Sequence, residues 1–278
     1  MCSRTEDASR RSFEMDTDSI VREWKEAFSK HPMFGEGLSR DSMDRMWESS
    51  SANYSDARYS EIKDRIVDTL FSEGYIGEDD SVLDLGSGPG TFAIPFSSRC
   101  RSVLCVDGSE GMLSRIREKG IGNISVLKAD CTCLPAEYKR DVVFCSLCPA
   151  MNEPDAINRM DALGRRHVYI SSANREMGIE GEIWNALGKD YSYAGYDTDY
   201  PYRYLLSKGV NAQLRYLTQD NTVTDTVDAA VKRFRAMVAN YRTVGEEEER
   251  AIRSVVGDHS ENGVVKQSIT LRMGMLTW

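Results

Sequence analysis

The sequence contains no apolar stretch that approaches the roughly 18 residues needed to span a bilayer. Its polar N-terminus, MCSRTEDASRRSF, also lacks the apolar core of a secretory signal. Basic residues are not in excess, because 35 Lys and Arg stand against 44 Asp and Glu, which gives a net charge of −9. Such a balance offers no general electrostatic attraction for DNA or RNA. We therefore expect a cytoplasmic protein with no DNA partner and no membrane partner.

Histidine is scarce as well, with three residues in the chain. We interpret His167 as structural, because it opens a predicted strand at the end away from a ligand. The seven cysteines are an odd number in a chain much longer than a disulfide-stabilised domain, so reduced thiols are expected. There is no internal repeat and no low-complexity linker. The length of 278 residues indicates one large domain with insertions.

The N-terminal quarter is predicted to be a tail followed by helices. Residues 1–16 are charged and Ser-rich, lack apolar periodicity and are expected to be disordered. Apolar residues recur at helical spacing near residues 18–31, 41–50 and 55–74. We interpret residues 17–74 as an N-terminal helical cap.

From residue 81 onward, short apolar runs alternate with helical segments. The predicted strands are residues 82–85, 103–106, 124–127, 142–144 and 168–171, and the predicted helices are residues 91–98, 109–118 and 154–163. This alternation predicts βαβ units, hence a parallel sheet with helices on both faces. Ligands of such sheets bind beyond the carboxyl ends of the strands.

The alternation loosens after Ser172. Residues 178–207 and 225–256 are predicted to be mainly helical insertions that contribute to the cap, and residues 211–218 and 264–278 are predicted strands. Six tyrosines lie between Tyr191 and Tyr204. Three interpretations are open: these tyrosines line a pocket for an aromatic or cationic ligand, they pack the insertion against the sheet, or they form a dimer surface.

The stretch VLDLGSGPG carries the strongest signal for a ligand site. Glycines allow a sharp turn after the predicted strand and a close approach of the backbone to a ligand. The spacing is G-x-G-x-G, whereas the dinucleotide-binding pattern is G-x-G-x-x-G/A. Asp84 lies two residues before the first glycine, where a carboxylate suits an amine-bearing ligand and repels a pyrophosphate. A nicotinamide oxidoreductase is therefore disfavoured.

Three further stretches follow in order, VLCVDGSEGML, VLKADCTCLP and DVVFCSLCPA. Together with VLDLGSGPG they resemble the four cofactor motifs of the class I S-adenosylmethionine-dependent methyltransferases, and the resemblance covers about residues 79–172. It implies an α/β fold with a Rossmann-like seven-stranded sheet in the order 3-2-1-4-5-7-6. That sheet is mostly parallel, with an antiparallel last strand and helices on both faces. The methyltransferase domain would span residues 75–278, with S-adenosylmethionine as cofactor.

The resemblance also implies roles for individual residues. Asp107 would hold the ribose hydroxyls, Met112 would pack against the adenine, and Asp130 would accept a hydrogen bond from the adenine amino group. The glycine loop would contact the methionine end of the cofactor. The complete set of implied cofactor residues is Asp84, Gly86, Ser87, Gly88, Gly90, Asp107, Gly108, Met112, Asp130, Cys131 and Cys145.

Two close pairs of cysteines, Cys131 with Cys133 and Cys145 with Cys148, raise the question of a metal or redox site. With the implied strand order, the ends of the third and fourth strands lie roughly 14 Å apart, because adjacent strands are about 4.8 Å apart. A tetrahedral zinc site requires all four sulfurs within about 2.3 Å of one point. We therefore expect no metal site. Redox use and a contact between Cys148 and the methyl group remain alternatives to simple pocket lining.

The acceptor side of the site is less well defined by the sequence. Methyl transfer requires an in-line approach of the acceptor, and a general base assists a hydroxyl or an ammonium. Candidate catalytic residues are Asn152 and Glu153 after the fourth strand, and Tyr54 in the lid that small-molecule members of the family form. Cys-Ser-Leu-Cys-Pro replaces the [DN]-P-P-[YF] loop of enzymes that methylate planar nitrogens.

The prediction is therefore a methyltransferase with a small-molecule acceptor, present as a monomer or homodimer. Methylation of protein or RNA and a non-catalytic cofactor-binding module are the alternatives.

Overall fold

The computed structural model describes residues 16–32, 40–55, 60–173 and 176–278. The predicted N-terminal tail falls outside these ranges, except for its last residue. Ten helices are present in the described residues: α1 (Thr17–Ser29), α2 (Arg40–Ser50), α3 (Ser60–Ser72), α4 (Ala93–Ser97), α5 (Glu110–Arg117), α6 (Pro154–Leu163), α7 (Gly178–Ala186), α8 (Asp199–Ser207), α9 (Val227–Ala239) and α10 (Glu246–Asp258). None of them is both long enough and apolar enough to cross a membrane.

The described residues form one eight-stranded sheet. Its strands are β1 (Ser81–Leu85), β2 (Ser102–Asp107), β3 (Ile124–Lys128), β4 (Val142–Ser146), β5 (Arg166–Ser172), β6 (Gln213–Thr226), β7 (Ser260–Glu261) and β8 (Val264–Thr277). The order is β3-β2-β1-β4-β5-β8-β6, with β7 paired to β8. Strands β1 to β5 are parallel, and β8 is antiparallel to both β5 and β6. The expected Rossmann-like sheet is confirmed, and the two-residue β7 is an addition to the seven expected strands.

Side chains of the central strands alternate between two helical layers. On one face, Val82 and Phe144 belong to a buried cluster that also contains residues of α3, α4 and α5. On the other face, Leu83 and Leu85 pack in a cluster with residues of α1, α6 and α8. Because consecutive strand residues point to opposite faces, near-continuous apolar strands are expected when both faces are covered.

Strands β6 and β8 form a hairpin that is longer than predicted. Fourteen residues of each strand pair, and the pairing extends to Thr226 with Val264. The predicted strand ended at residue 218, yet the following Thr-rich residues continue the alternation and are held by β8. Thr226 then caps α9 by accepting a hydrogen bond from the Ala229 amide. Helices α7, α9 and α10 share a separate apolar cluster with Val265 of the hairpin.

Helix α1 is attached to a segment that lies about 170 residues later in the chain. The indole Nε1 of Trp24 donates to the carbonyl of Gly195 at 3.1 Å, and the Trp24 ring stacks on Tyr200. A Cβ on Gly195 would lie 2.2 Å from the backbone nitrogen of Phe28, so only glycine allows this close contact. The N-terminal helix is therefore an integral part of the packed structure.

Candidate functional site

The glycine loop brings its backbone to the carboxyl end of β1. Gly86, Gly88 and Gly90 all have positive φ, at 70°, 53° and 86°, a conformation that L side chains rarely adopt. The amides of Gly86 and Ser87 donate to the Val106 carbonyl of β2, which fixes the start of the loop. A Cβ on Gly88 would meet no atom within 4 Å, so the middle of the loop borders open space.

Asp107, the last residue of β2, is oriented by two backbone amides. One carboxylate oxygen accepts from Gly88 and the other from Ser109, both at 2.8 Å. A carboxylate oxygen has two lone pairs and can accept more than one hydrogen bond. The glycine loop and the acid of β2 are thus built as one unit.

A cavity of about 460 Å³ lies over these residues, within the usual range of about 300–1,000 Å³ for ligand pockets. It is bordered by the segments that follow β1, β2, β3 and β4, as expected for a sheet of this topology. Ten of the predicted site residues line it, namely Tyr54, Asp84, Gly86, Ser87, Gly88, Asp107, Gly108, Met112, Asp130 and Cys131.

Asp84 is the most strongly perturbed acid of the cavity. Its side chain is 2% exposed on β1, and burial raises its pKa to about 8, with further contributions from the negative charges of Asp107 and Cys148. Without a ligand, this carboxyl group is therefore mostly protonated at neutral pH. A cation placed beside it would favour its ionised form.

Residues 45–55, which we call the lid segment, border the cavity. Trp47 and Tyr54 of this segment line the cavity. The Glu48 carboxylate accepts from the Ser109 hydroxyl at 2.7 Å and from the Gly111 amide at 3.1 Å, at the N-terminus of α5. These hydrogen bonds, first that of Ser109, lower the pKa of Glu48, and anions are favoured at a helix N-terminus.

A second set of contacts fixes the other end of the lid segment. The Arg115 guanidinium of α5 donates to the carbonyls of Ser51 and Tyr54, both at 2.9 Å. Helix α5 begins directly after the Asp107 unit and therefore connects the lid segment with the glycine loop. Helix α5 therefore supports both the lid segment and Asp107.

Comparison with known proteins agrees with this geometry. Residues 82–166 match the methyltransferase-domain family. An uncharacterised protein of Haemophilus influenzae is 27% identical over 154 residues, which are 51% of this chain and 55% of that protein. A 23S rRNA (uracil(1939)-C(5))-methyltransferase of Stenotrophomonas maltophilia is 42% identical over 60 residues, or 20% of this chain and 14% of that enzyme. The chain thus spans about half or less of the length of these curated relatives.

One solved structure shows the same fold, and a second has a lower similarity. A methyltransferase-like protein of Bacillus halodurans has a TM-score of 0.50 at 14% identity, and the match covers 76% of this chain and 96% of that one. A methyltransferase from Thiobacillus denitrificans, bound to S-adenosylhomocysteine, has a TM-score of 0.49 at 15% identity, with coverage of 87% and 98%.

Residues 82–166 thus form a methyltransferase domain, and the sheet has the fold of the class I S-adenosylmethionine-dependent methyltransferases. S-adenosylmethionine is the cofactor of that class. The cavity fits this molecule chemically, because the carboxyl groups of Asp84 and Asp107 suit a ligand carrying an ammonium, a sulfonium and a ribose diol. The open space beside Gly88 allows the ligand to approach the loop backbone.

Two residues predicted to contact the cofactor, Gly90 and Cys145, lie outside the cavity lining. Gly90 packs the glycine loop against α4 and α5, since an added Cβ would lie 3.1 Å from both Ile94 and Ile116. Cys145 is fully buried within β4. Strand alternation directs its side chain to the face that packs against α1, α6 and α8. Both residues support the site from behind.

Two of the predicted catalytic residues, Asn152 and Glu153, are also placed away from the cavity. Asn152 is 2% exposed and bonded at both ends, donating to the Gly195 carbonyl at 2.7 Å and accepting from the Tyr169 hydroxyl at 2.9 Å. Glu153 is exposed at the start of α6. Neither residue lines the cavity, because the chain turns away from it after residue 150. Asn152 connects the core to the segment that holds α1.

The ends of the third and fourth strands were expected to lie roughly 14 Å apart, which would separate the two cysteine pairs. One cysteine of each pair nevertheless lies close to the other. Cys131 Sγ and Cys148 Sγ are 3.9 Å apart. The cysteines approach because they lie beyond the strand ends, where the turns at residues 131–133 and 149–151 pack against each other. Leu147, with a positive φ of 49°, turns the chain just before Cys148. Within the described ranges, no group of three or more suitable side chains could hold a metal ion.

The tyrosine-rich segment packs inside the protein and does not line the cavity. Tyr193 and Tyr196 contact the His31 ring, and Tyr200 and Tyr204 contact Trp24 of α1. None of the six tyrosines between residues 191 and 204 is among the cavity-lining residues. Of the alternatives considered, packing of the insertion accounts for these contacts.

Other lining residues were not predicted from the sequence. They come from distant elements, such as Ile62 and Lys63 on α3 and Met273 on β8, or flank the motifs, such as Phe92 and Lys128. The α3 and β8 residues follow ordinary core periodicity in the sequence and carry no separate signal. Glu48, in contrast, is an acid on an otherwise unremarkable polar helix face, and only its position opposite Ser109 shows its role.

Proposed function

We propose that this chain transfers the methyl group of S-adenosylmethionine to a small-molecule acceptor. The observation that supports this most directly is the cavity, whose lining combines Trp47 and Tyr54 of the lid segment with the cofactor motifs. A cavity of about 460 Å³ has the size of a small-molecule site. The net charge of −9 also gives no general attraction for a nucleic acid.

The cofactor end of the cavity is assigned to the four motifs. In this proposal Asp107, oriented by the amides of Gly88 and Ser109, accepts hydrogen bonds from the ribose diol. Asp84 pairs with the ammonium of the methionine part. This pairing offsets the effect of burial, which raises the pKa of Asp84 in the free chain. Met112, buried at the start of α5, provides an apolar wall for the adenine.

The acceptor end is assigned to the lining residues outside the motifs. Trp47, Tyr54, Ile62, Lys63 and Met273 come from the lid segment, α3 and β8. Four of these side chains are large or apolar, and Lys63 supplies a cation beside them. We infer an acceptor with an apolar body, and Tyr54 remains the proposed catalytic residue of the original three.

The chain's own contribution to the reaction is positional. The bound cofactor supplies an activated methyl group on a good leaving group. The protein must hold the acceptor in line with it and exclude water, and such positioning is worth several kcal/mol in general. The lid segment, fixed by Glu48 and Arg115, is the structure that performs both tasks.

The proposal is tested in two steps. Isothermal titration should detect binding of S-adenosylhomocysteine and no binding of NADH, and the reverse result would refute the cofactor assignment. The protein is then incubated with methyl-tritiated S-adenosylmethionine and three separate acceptor pools: a small-molecule ultrafiltrate, total RNA and denatured protein. We expect label in the small-molecule pool only.

The similarity to the 23S rRNA methyltransferase makes RNA the second candidate acceptor, although it covers 20% of this chain. Label in the RNA pool alone would establish that alternative and overturn the small-molecule proposal. Binding of S-adenosylhomocysteine without label in any pool would instead favour a non-catalytic binding module.

A further inference from the structure

Two thiols from different segments meet at the floor of the cavity. Cys131 lies in the turn after β3 and Cys148 in the turn after β4, and their sulfurs are 3.9 Å apart. Both residues line the cavity. The thiol pair therefore borders the space assigned to the cofactor, and a bond between the sulfurs would connect two of the cofactor motifs.

The surroundings of Cys148 favour its thiolate form. The thiols of Cys131 and Cys145 and the amides of Met151 and Ala150 donate hydrogen bonds to its sulfur, and these lower the pKa of Cys148. Burial, by contrast, raises the pKa of Cys100 to about 11. The thiolate is the reactive form of cysteine, so Cys148 is the better nucleophile of the described cysteines in the core.

We propose that Cys131 and Cys148 form a reversible disulfide that prevents cofactor binding. The inference rests on the proposed function, because it assumes that this cavity binds S-adenosylmethionine. It assigns to the pair a modification by hydroperoxides, with Cys148 as the attacking residue and Cys131 as the resolving residue. The methyl transfer reaction itself requires neither thiol.

The chemistry is balanced with hydrogen peroxide as oxidant. The Cys148 thiolate attacks one peroxide oxygen, the O–O bond breaks, and a sulfenic acid and hydroxide are formed. The Cys131 thiol then attacks the sulfenic sulfur, the S–O bond breaks, and the proton leaves with the oxygen as water. In total, two thiols and one peroxide give one disulfide and two waters, and a dithiol reverses the oxidation by exchange.

The geometry explains why such a bond would affect the cofactor. A disulfide requires a sulfur–sulfur distance of about 2.05 Å, so the two turns must approach each other by about 2 Å. Cys148 packs directly on the glycine loop, since a Cβ on Gly86 would lie 2.4 Å from its sulfur. Movement of Cys148 toward Cys131 therefore alters the cavity between Gly86 and the turn that carries Asp130.

The disulfide is tested first by peptide mapping of the full chain. The protein is treated with hydrogen peroxide, alkylated and digested with trypsin, which places Cys131 in residues 129–139 and Cys148 in residues 141–159. We expect these two peptides to become linked through Cys131 and Cys148. Exposed Cys133 in the first peptide and buried Cys145 in the second serve as internal controls. A link through Cys133, or no link at all, would overturn the proposal.

The effect on the cofactor is tested by titration with S-adenosylhomocysteine before and after oxidation. We expect oxidised wild type to lose at least tenfold in affinity and to recover it with dithiothreitol. Cys131→Ser and Cys148→Ser should each have the same affinity before and after peroxide, whereas the matched control Cys133→Ser should behave as wild type. Saturation with S-adenosylhomocysteine should also protect the pair from linkage.

A linked protein that retains its full affinity would refute the regulatory role. If the reduced protein does not bind S-adenosylhomocysteine, the proposed function fails, and the cofactor part of this inference fails with it. The peptide map distinguishes the two failures, because it reports the thiol pair without any cofactor.

Discussion

Binding of the cofactor should release a proton from Asp84. The carboxyl group has a pKa of about 8 in the free chain, mainly because it is buried and secondarily because Asp107 and Cys148 are nearby. About nine tenths of it is therefore protonated at pH 7. A ligand ammonium beside it favours the ionised form, so the proton should leave as the ligand enters.

The pH dependence of affinity follows from this pKa. If bound Asp84 is ionised, the association constant should rise by up to about tenfold from pH 6 to pH 7. Above about pH 8 the rise should end, because Asp84 is then ionised before the ligand binds and the amino group of the ligand loses its own positive charge.

The assay is isothermal titration with S-adenosylhomocysteine in buffers of different ionisation enthalpy, such as phosphate and Tris. The slope of the observed enthalpy against the buffer ionisation enthalpy gives the number of protons exchanged. Asp84→Asn is the matched variant, and it should bind more weakly and exchange no proton at this site. Zero proton exchange by the wild-type protein at pH 7 would refute the role of Asp84 as the partner of the ammonium.

The same group also affects stability in a defined direction. The folded pKa of about 8 lies above the ordinary pKa of 3.8 expected in an unfolded chain, so the folded state binds more protons between these values. The free energy of unfolding contributed by Asp84 therefore falls as the pH rises from about 4 to about 8. Thermal melts across this interval should show a smaller decline for Asp84→Asn than for the wild-type protein.

Three further predictions concern the remaining parts of the site. Asp107→Ala should weaken S-adenosylhomocysteine binding by about 1.5–3 kcal/mol in isothermal titration, because charge-assisted hydrogen bonds are lost; unchanged affinity would refute the ribose assignment. Glu48→Ala should accelerate amide exchange in residues 45–55 without lowering the melting temperature appreciably, and unchanged exchange would show that Glu48 does not hold the lid. Asn152→Ala should lower the free energy of unfolding by about 1–3 kcal/mol in urea, because Tyr169 and the Gly195 carbonyl lose a buried partner; lost catalysis in a protein of normal stability would instead restore its catalytic role.

The cofactor side of the site was predictable because it depends on local sequence. A glycine loop after β1 and an acid at the end of β2 are short motifs, and parallel strand topology alone brings Asp84, Gly88 and Asp107 to one edge. The same reasoning failed for Cys145, since a one-residue change of position along a strand reverses the face to which a side chain points.

The acceptor side was not predictable in the same way. Ile62 and Met273 reach the cavity through the packing of α3 and β8, and apolar residues at regular spacing have the same pattern whether they face a core or a ligand. The convergence of Cys131 and Cys148 depends on turn conformations, including the positive φ of Leu147, that no strand-order argument contains. Asn152 lies after β4, as the sequence predicted, yet the turn at residues 149–151 directs its side chain into the core.

The attachment of α1 to Gly195 has a consequence for the order in which the chain assembles. During synthesis, Trp24 emerges about 170 residues before the carbonyl and the tyrosine ring that receive it. The first helix must therefore wait for the residues after β5, and such distant contacts are expected to form late. The lid segment is bound instead to α5, and Ser109 and Arg115 emerge only about 60 residues after their lid partners. The nascent chain can thus complete the glycine loop, its acids and the lid contacts before α1 is attached.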